Sequence, residues 1–191
     1  MKVLIIGDVM GKPGRDAMKE FLDKKKNDYD FVIVNGENAA AGFGITPKIA
    51  DEFFELGVDV ITSGNHIWDK KELYPYLDEN RNILRPLNYP KGVPGFGYTI
   101  KENGKGEKIA VINIQGRVFM PEVDSPFQRI EEAIEEIKKE TKNIIVDFHA
   151  EATSEKLAMG WYLDGRVSAV YGTHTHVQTA DERILEKGTG F

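Results

Sequence analysis

The chain has 191 residues, 41% of them hydrophobic, which is enough for one well-buried core and short for two. Its 25 basic and 31 acidic residues leave a net charge of −6 with no long basic stripe, which argues against wrapping a long nucleic acid but not against a small phosphorylated ligand. Cysteine is absent, so disulfides and thiolate catalysis are excluded, and any metal must be held by imidazole, carboxylate and amide donors.

The amino terminus, Met1-Lys2-Val3-Leu4-Ile5-Ile6-Gly7-Asp8, carries too short an apolar run for a signal peptide, and no stretch reaches the ~18 apolar residues of a membrane span. The chain therefore reads as soluble and cytoplasmic, without a membrane partner. Short β-branched runs at 2–6, 31–35, 58–62, 109–114, 144–148 and 167–171 read as buried strands, with helical patterns between them.

In chain order, Asp8 follows the first strand and Glu37-Asn38 follows Gly36 after the second. Thr46-Pro47 gives an N-cap and a first-turn proline to a helix carrying Ile49, Ala50, Phe53 and Phe54, which Gly57 stops. Gly64-Asn65-His66 follows the third strand. Asp69 reads first as the cap of a helix through Lys70, Lys71, Glu72 and Leu73, and second as a group orienting His66.

Arg85 to Gly97 is a long Pro- and Gly-rich ordered loop, and 97–112 is a hairpin turning at Glu102-Asn103-Gly104-Lys105-Gly106, so the sheet system is mixed. Ser125-Pro126 opens a helix with Phe127, Ile130, Ala133, Ile134 and Ile137 on one face. His149 follows Ile144-Ile145-Val146-Asp147-Phe148. Within Gly172-Thr173-His174-Thr175-His176 the two histidines stand two apart in an extended segment and should point the same way.

In an open α/β sheet, functional groups gather beyond the carboxyl ends of the strands, where all these donors lie. Asp8, Glu37, Asn38, Asn65, His149, His174 and His176 are too many for one tetrahedral ion and suit two ions sharing a carboxylate. Two such ions clamp a phosphoryl group and acidify a water, and His66, beside Asn65, is placed to protonate the departing oxygen.

In these blocks, Gly7-Asp8, Gly36-Glu37-Asn38, Gly64-Asn65-His66, His149 and Gly172-Thr173-His174-Thr175-His176, the chain resembles the metallophosphoesterases with binuclear centres, and within them the bacterial YmdB-like branch. The resemblance covers essentially the whole chain. It implies a single metallophosphoesterase-like domain over 1–191, built as a four-layer α/β/β/α sandwich with two mixed sheets. It also implies hydrolysis of small phosphodiesters, 2′,3′-cyclic nucleotides foremost. By the same resemblance Asp8, Glu37, Asn38 and His176 hold one metal, Glu37, Asn65, His149 and His174 hold the second, and His66 is the proton donor to an ester attacked by a metal-bound hydroxide.

The wider superfamily has Asp-x-His where this chain has Asp8-Val9-Met10. Asn38 is expected to replace that imidazole, which favours Fe or Mn over Zn as the two divalent or trivalent ions. The branch also continues past Phe191 with another strand and loop, so the loop-like end Glu186-Lys187-Gly188-Thr189-Gly190-Phe191 reads as a truncation.

Two other readings stand beside the diesterase: a non-catalytic metal- or nucleotide-binding regulatory module, suggested by Met10 and the abrupt end, and a phosphomonoesterase. Arg85 and Arg117 are not assigned to phosphate. Trp68 and Trp161 read as core before base-stacking residues. A homo-oligomer is left open.

Overall fold

In the computed structural model, which describes residues 1–191, side-chain alternation along seven strands sorts the apolar residues into three cores and so sets four layers. β1 (Val3–Ile6), β2 (Phe31–Asn35) and β3 (Val60–Thr62) form one sheet in that order. β4 (Tyr98–Glu102), β5 (Lys108–Gln115), β6 (Ile144–Ala150) and β7 (Ala169–His174) form the other.

Val32, Val34 and Ile61 face α1 (Gly11–Lys25), α2 (Pro47–Glu55) and α3 (Leu73–Glu79), burying Met18, Leu22, Phe53 and Leu77 among them. On the other side of the molecule Ile112, Ile114, Val146 and Phe148 face α4 (Pro126–Ile137) and α5 (Thr153–Leu163). Between the sheets, Phe31, Ile33 and Val60 meet Ile109, Val111 and Ile145. Ile134, on the inner face of α4, is fully buried, and its truncation to alanine would cost about 2–5 kcal/mol.

Only the second sheet is mixed. The expected hairpin pairs β4 antiparallel to β5, whereas β5, β6 and β7 are parallel. The first sheet is parallel throughout, because α1 and α2 carry the chain back between its strands.

Local signals explain the starts of two helices. Thr46 Oγ1 accepts from the Ile49 amide at 3.3 Å, with Pro47 in the first turn. Pro126 likewise opens α4, but the Ser125 side chain makes no capping bond. α3 starts after Glu72, so Asp69 does not cap it. Residues 183–191 fold back on themselves and set Gly190 beside β7, with Val170 N donating to Gly190 O at 2.9 Å and Gly190 N to Ser168 O at 3.0 Å. No helix is long and apolar enough to cross a membrane.

The alternation that builds the middle core also builds a polar floor. Continuing two by two along the faces of Phe31 and Ile33, Val60, Val111, Ile145 and Tyr171 reaches Asn35, Thr62, Asn113, Asp147, His149 and Thr173, all buried. The inter-sheet seam thus turns from apolar to polar at the carboxyl ends of the strands.

Candidate metal centre

Glu37 leaves β2 through Gly36, and its carboxylate is 1% exposed. Its Oε1 lies 3.0 Å from His149 Nε2, and its Oε2 accepts from the His66 amide at 3.1 Å. His149 Nε2 also faces Asn65 Oδ1 at 3.2 Å and His174 Nδ1 at 3.1 Å. Ligand atoms of Glu37, His149 and His174 lie within 4.8 Å of one another, an arrangement able to hold a metal ion.

Gly64 makes this closeness attainable. A Cβ there would stand 2.0 Å from His149 Nε2 and 2.4 Å from Glu37 Oε2. Only a residue without a side chain lets the turn after β3 run so near the cluster.

Asp8, whose side chain is 8% exposed, accepts from the His174 amide through Oδ2 at 3.1 Å, and its Oδ1 lies 3.7 Å from His176 Nε2. Asn38 donates from Nδ2 to Gly42 O at 2.9 Å but makes no hydrogen bond to Asp8, Glu37 or His176. Asp8 Oδ1 and Asn38 Oδ1 are both buried without a hydrogen-bond partner. Buried acceptors normally find a donor, so the orphaned Asp8 oxygen near His176 fits cation binding, whereas no contact joins the Asn38 oxygen to the cluster.

The electrostatics agree. For Glu37, burial is the largest influence and disfavours charge, but the hydrogen bond and charge of His149 and the His66 amide outweigh it and hold the carboxyl below its usual range. His149 shifts the opposite way. Its complete burial works against protonation, yet the bond to Glu37 and the charges of Glu37, Asp8 and Asp147 raise its pKa. His174 is lowered by burial and by its neighbour His149. Four acceptor-bearing residues converging here need a positive charge, supplied by a proton or by a metal.

The two carboxyl-terminal histidines meet different partners. β7 runs on to His174, whose φ of +92° turns the chain and ends the extended segment. His174 then meets His149 while His176 reaches towards Asp8, so the imidazoles divide between two parts of the site. A non-glycine residue at positive φ is strained by about 1–3 kcal/mol, and the Asp8 bond to the His174 amide helps hold it.

His66 lies at the rim, 27% exposed, with Nδ1 2.8 Å from Asp69 Oδ2. Of the two readings of Asp69, the structure supports the orienting one. Trp68 packs edge-on against Tyr74 and Tyr89, and Arg85 Nη1 donates to the carbonyls of Pro86 and Leu87, so both are engaged within the fold. Trp161, on α5, is half exposed.

Some contacts escaped the sequence reading. Glu151 Oε2 lies 3.2 Å from His174 Nε2, and Lys156 Nζ donates to Thr175 Oγ1 at 2.7 Å. Asp147 is fully buried beneath the cluster, and burial pushes its carboxyl up to about 6 despite hydrogen bonds from Thr173 and Thr62. A charged residue inside the apolar run 144–148 was the available signal, since such a group is seldom buried without partners.

A family model described as YmdB-like protein matches residues 4–191. The chain belongs to the YmdB-like family. It is 57% identical over 194 residues to the 2′,3′-cyclic-nucleotide 2′-phosphodiesterase of Bacillus subtilis, a match covering 100% of this chain and 73% of that protein. It is 39% identical over 199 residues to a putative phosphatase/phosphodiesterase of Mycoplasma pneumoniae, covering 100% of this chain and 70% of that one.

Two solved structures share the fold. A hypothetical protein from Thermus thermophilus superposes with a TM-score of 0.94 at 48% identity, over 100% of this chain and 74% of the other. A novel phosphatase of Mycoplasma pneumoniae gives 0.90 at 39%, over 100% and 69%. On these matches this YmdB-like chain is an enzyme of the phosphoesterase class.

Proposed function

We propose that this YmdB-like protein is a metal-dependent phosphodiesterase of small phosphodiesters, with 2′,3′-cyclic nucleotides as the substrate class. The observation that carries the reading is the buried meeting of Glu37, Asn65, His149 and His174, with the unpartnered Asp8 oxygen beside His176 next to it. The substrate class is suggested by the Bacillus subtilis relative.

Asp8, Glu37, Asn38 and His176 would hold one cation, and Glu37, Asn65, His149 and His174 a second, with Glu37 shared. Oxygen and imidazole donors suit Fe or Mn, with Zn as the third choice. When bound, such a pair neutralises phosphate charge and makes a nucleophile from water at neutral pH.

The protein's own part in the reaction falls to His66. Its Nδ1 is paired with Asp69, so Nε2 is the atom left to give a proton to the departing oxygen. In a cyclic diester one P–O bond breaks, water supplies the new P–O bond, and the freed ribose oxygen takes the proton from Nε2. Asp69 keeps the ring oriented.

The test compares leaving groups. His66→Ala should lower turnover of 2′,3′-cyclic AMP by about 10²–10⁴-fold with metal content unchanged. Cleavage of bis-p-nitrophenyl phosphate should suffer less, because its phenolate leaves without needing a proton. Equal losses on both substrates, or none, would remove His66 from this role, and the absence of metal-dependent hydrolysis of either would refute the diesterase reading.

A further inference from the structure

Beneath the cluster lies a buried chain of polar groups that the proposed reaction does not use. His149 Nδ1 is 2.9 Å from Thr173 Oγ1, and that hydroxyl donates to Asp147 Oδ1 at 2.6 Å. The other Asp147 oxygen accepts from Thr62 Oγ1 at 2.5 Å and from Asn35 Nδ2 at 3.1 Å. His149 and Asp147 are fully buried, and Thr173 is 3% exposed.

With Asp147 ionised, as at a pH well above 6, counting protons fixes the direction of every bond. Asp147 has two donors on Oδ2 and only Thr173 on Oδ1, so losing that bond would leave a buried carboxylate oxygen unsatisfied. The Asn35 amide also reaches Thr173 Oγ1 at 3.4 Å, and being a donor it cannot receive the hydroxyl proton. With its single proton committed to Asp147, Thr173 can only accept from His149. Nδ1 must then carry a proton, leaving Nε2 as the ligating atom facing Glu37, Asn65 and His174.

We infer that Asp147 and Thr173 are positioning residues that fix the tautomer of His149 and so keep its Nε2 available to a cation. This rests on the metal-site reading above and concerns a step before chemistry. A histidine ligand is generally oriented through its second nitrogen. Here a threonine hydroxyl carries that influence from a carboxylate one layer deeper.

Asp147→Asn makes a sharp test because it keeps the shape and reverses one bond. Thr62 and Asn35 both donate to the Oδ2 position, so the new amide should put its oxygen there and its NH₂ towards Thr173. Thr173 then accepts from that NH₂ and turns its own proton onto His149 Nδ1. His149 is driven to the Nε2–H form, which Glu37 Oε1 at 3.0 Å would accept and which a cation must displace.

In nitrogen-resolved imidazole spectra of the metal-free protein, the Nδ1 proton of His149 should be present in the parent and absent in Asp147→Asn. Zinc, titrated against a chelating dye, should bind about 10–100-fold more weakly to the variant. Thr173→Val should weaken zinc similarly, and Thr173→Ser should restore it. A retained Nδ1 proton in Asp147→Asn, or zinc affinity equal to the parent's in Asp147→Asn or Thr173→Val, overturns the relay. If the parent itself binds no zinc, the metal reading has failed while the spectra still decide the tautomer. If Asp147→Asn does not fold, the Thr173 pair decides.

Discussion

Replacing Gly64 with alanine inserts one methyl group into the space between His149 and Glu37. The new Cβ would lie 2.0 Å from His149 Nε2, 2.1 Å from Cδ2 and 2.4 Å from Glu37 Oε2, where ordinary contact starts at 3.4 Å. The imidazole would have to retreat by about 1.4 Å, several times the ~0.2 Å tolerance of a ligand distance. It has no easy way back, since it is fully buried and tied through Nδ1 to Thr173.

Overpacking of this kind costs roughly 1–3 kcal/mol, which for a chain of this length lowers Tm by about 2–12 °C. Metal affinity should fall by at least about a hundredfold, more than loss of an outer hydrogen bond causes. Elemental analysis after purification, with a zinc titration and a thermal melt, measures both effects. Gly97→Ala is the control, because its Cβ would meet Leu87 Cα at 2.5 Å, outside the cluster. It should destabilise the fold while leaving affinity intact. A Gly64→Ala protein with the parent's metal content and diesterase activity would refute the reasoning.

Asp69→Asn replaces the carboxylate that meets His66 Nδ1 with a neutral amide of the same shape. At about 1.5–3 kcal/mol for a charge-assisted bond, kcat on 2′,3′-cyclic AMP should drop roughly ten- to a hundredfold without loss of metal, and an unchanged kcat would return Asp69 to a structural role. Glu131, held by both Nη atoms of Arg166 and by the Tyr162 hydroxyl, has its carboxyl lowered to about 2, first by the Arg166 bonds and then by Tyr162. Because the folded pKa lies below the unfolded one of 4.5, the stabilisation is present above that pH and is lost as pH falls towards 2. The pair is more than a third exposed on the Glu131 side, so Glu131→Gln should cost roughly 1 kcal/mol or less at pH 7. The Tm gap between the two proteins should close on acidification, and a gap that stayed constant to about pH 2.5 would count against the assignment.

The strands and the donors at their ends were legible because buried β-branched runs and imidazoles differ so sharply in character. Their boundaries were less so. His149 and His174 lie within β6 and β7, not after them, since a strand whose inner face turns polar can still keep its ladder. The parting of His174 from His176 depends on one backbone angle, which no pattern of residue types specifies. Asp69 stands three residues after His66 and just before a helix, a spacing compatible with either role, and contact alone chose between them. Thr173 and Asp147 were harder still. Their significance comes from alternation: Thr173 shares a face with Tyr171, Asp147 with His149, and only the pairing of β6 with β7 sets His149 opposite Thr173.

The first sheet brings Glu37 and Asn65 to the seam, and the second brings His149 and His174. An ion gripped by all four would fasten the two halves of the sandwich at its open end, like a clasp. Occupancy and cohesion are then one equilibrium: an ion at a hundred times its Kd adds about 2.7 kcal/mol to the folded state. Chelation should therefore be felt first as a loosening between the sheets, as faster amide exchange in β2 and β6 while the helix-covered outer cores stay protected.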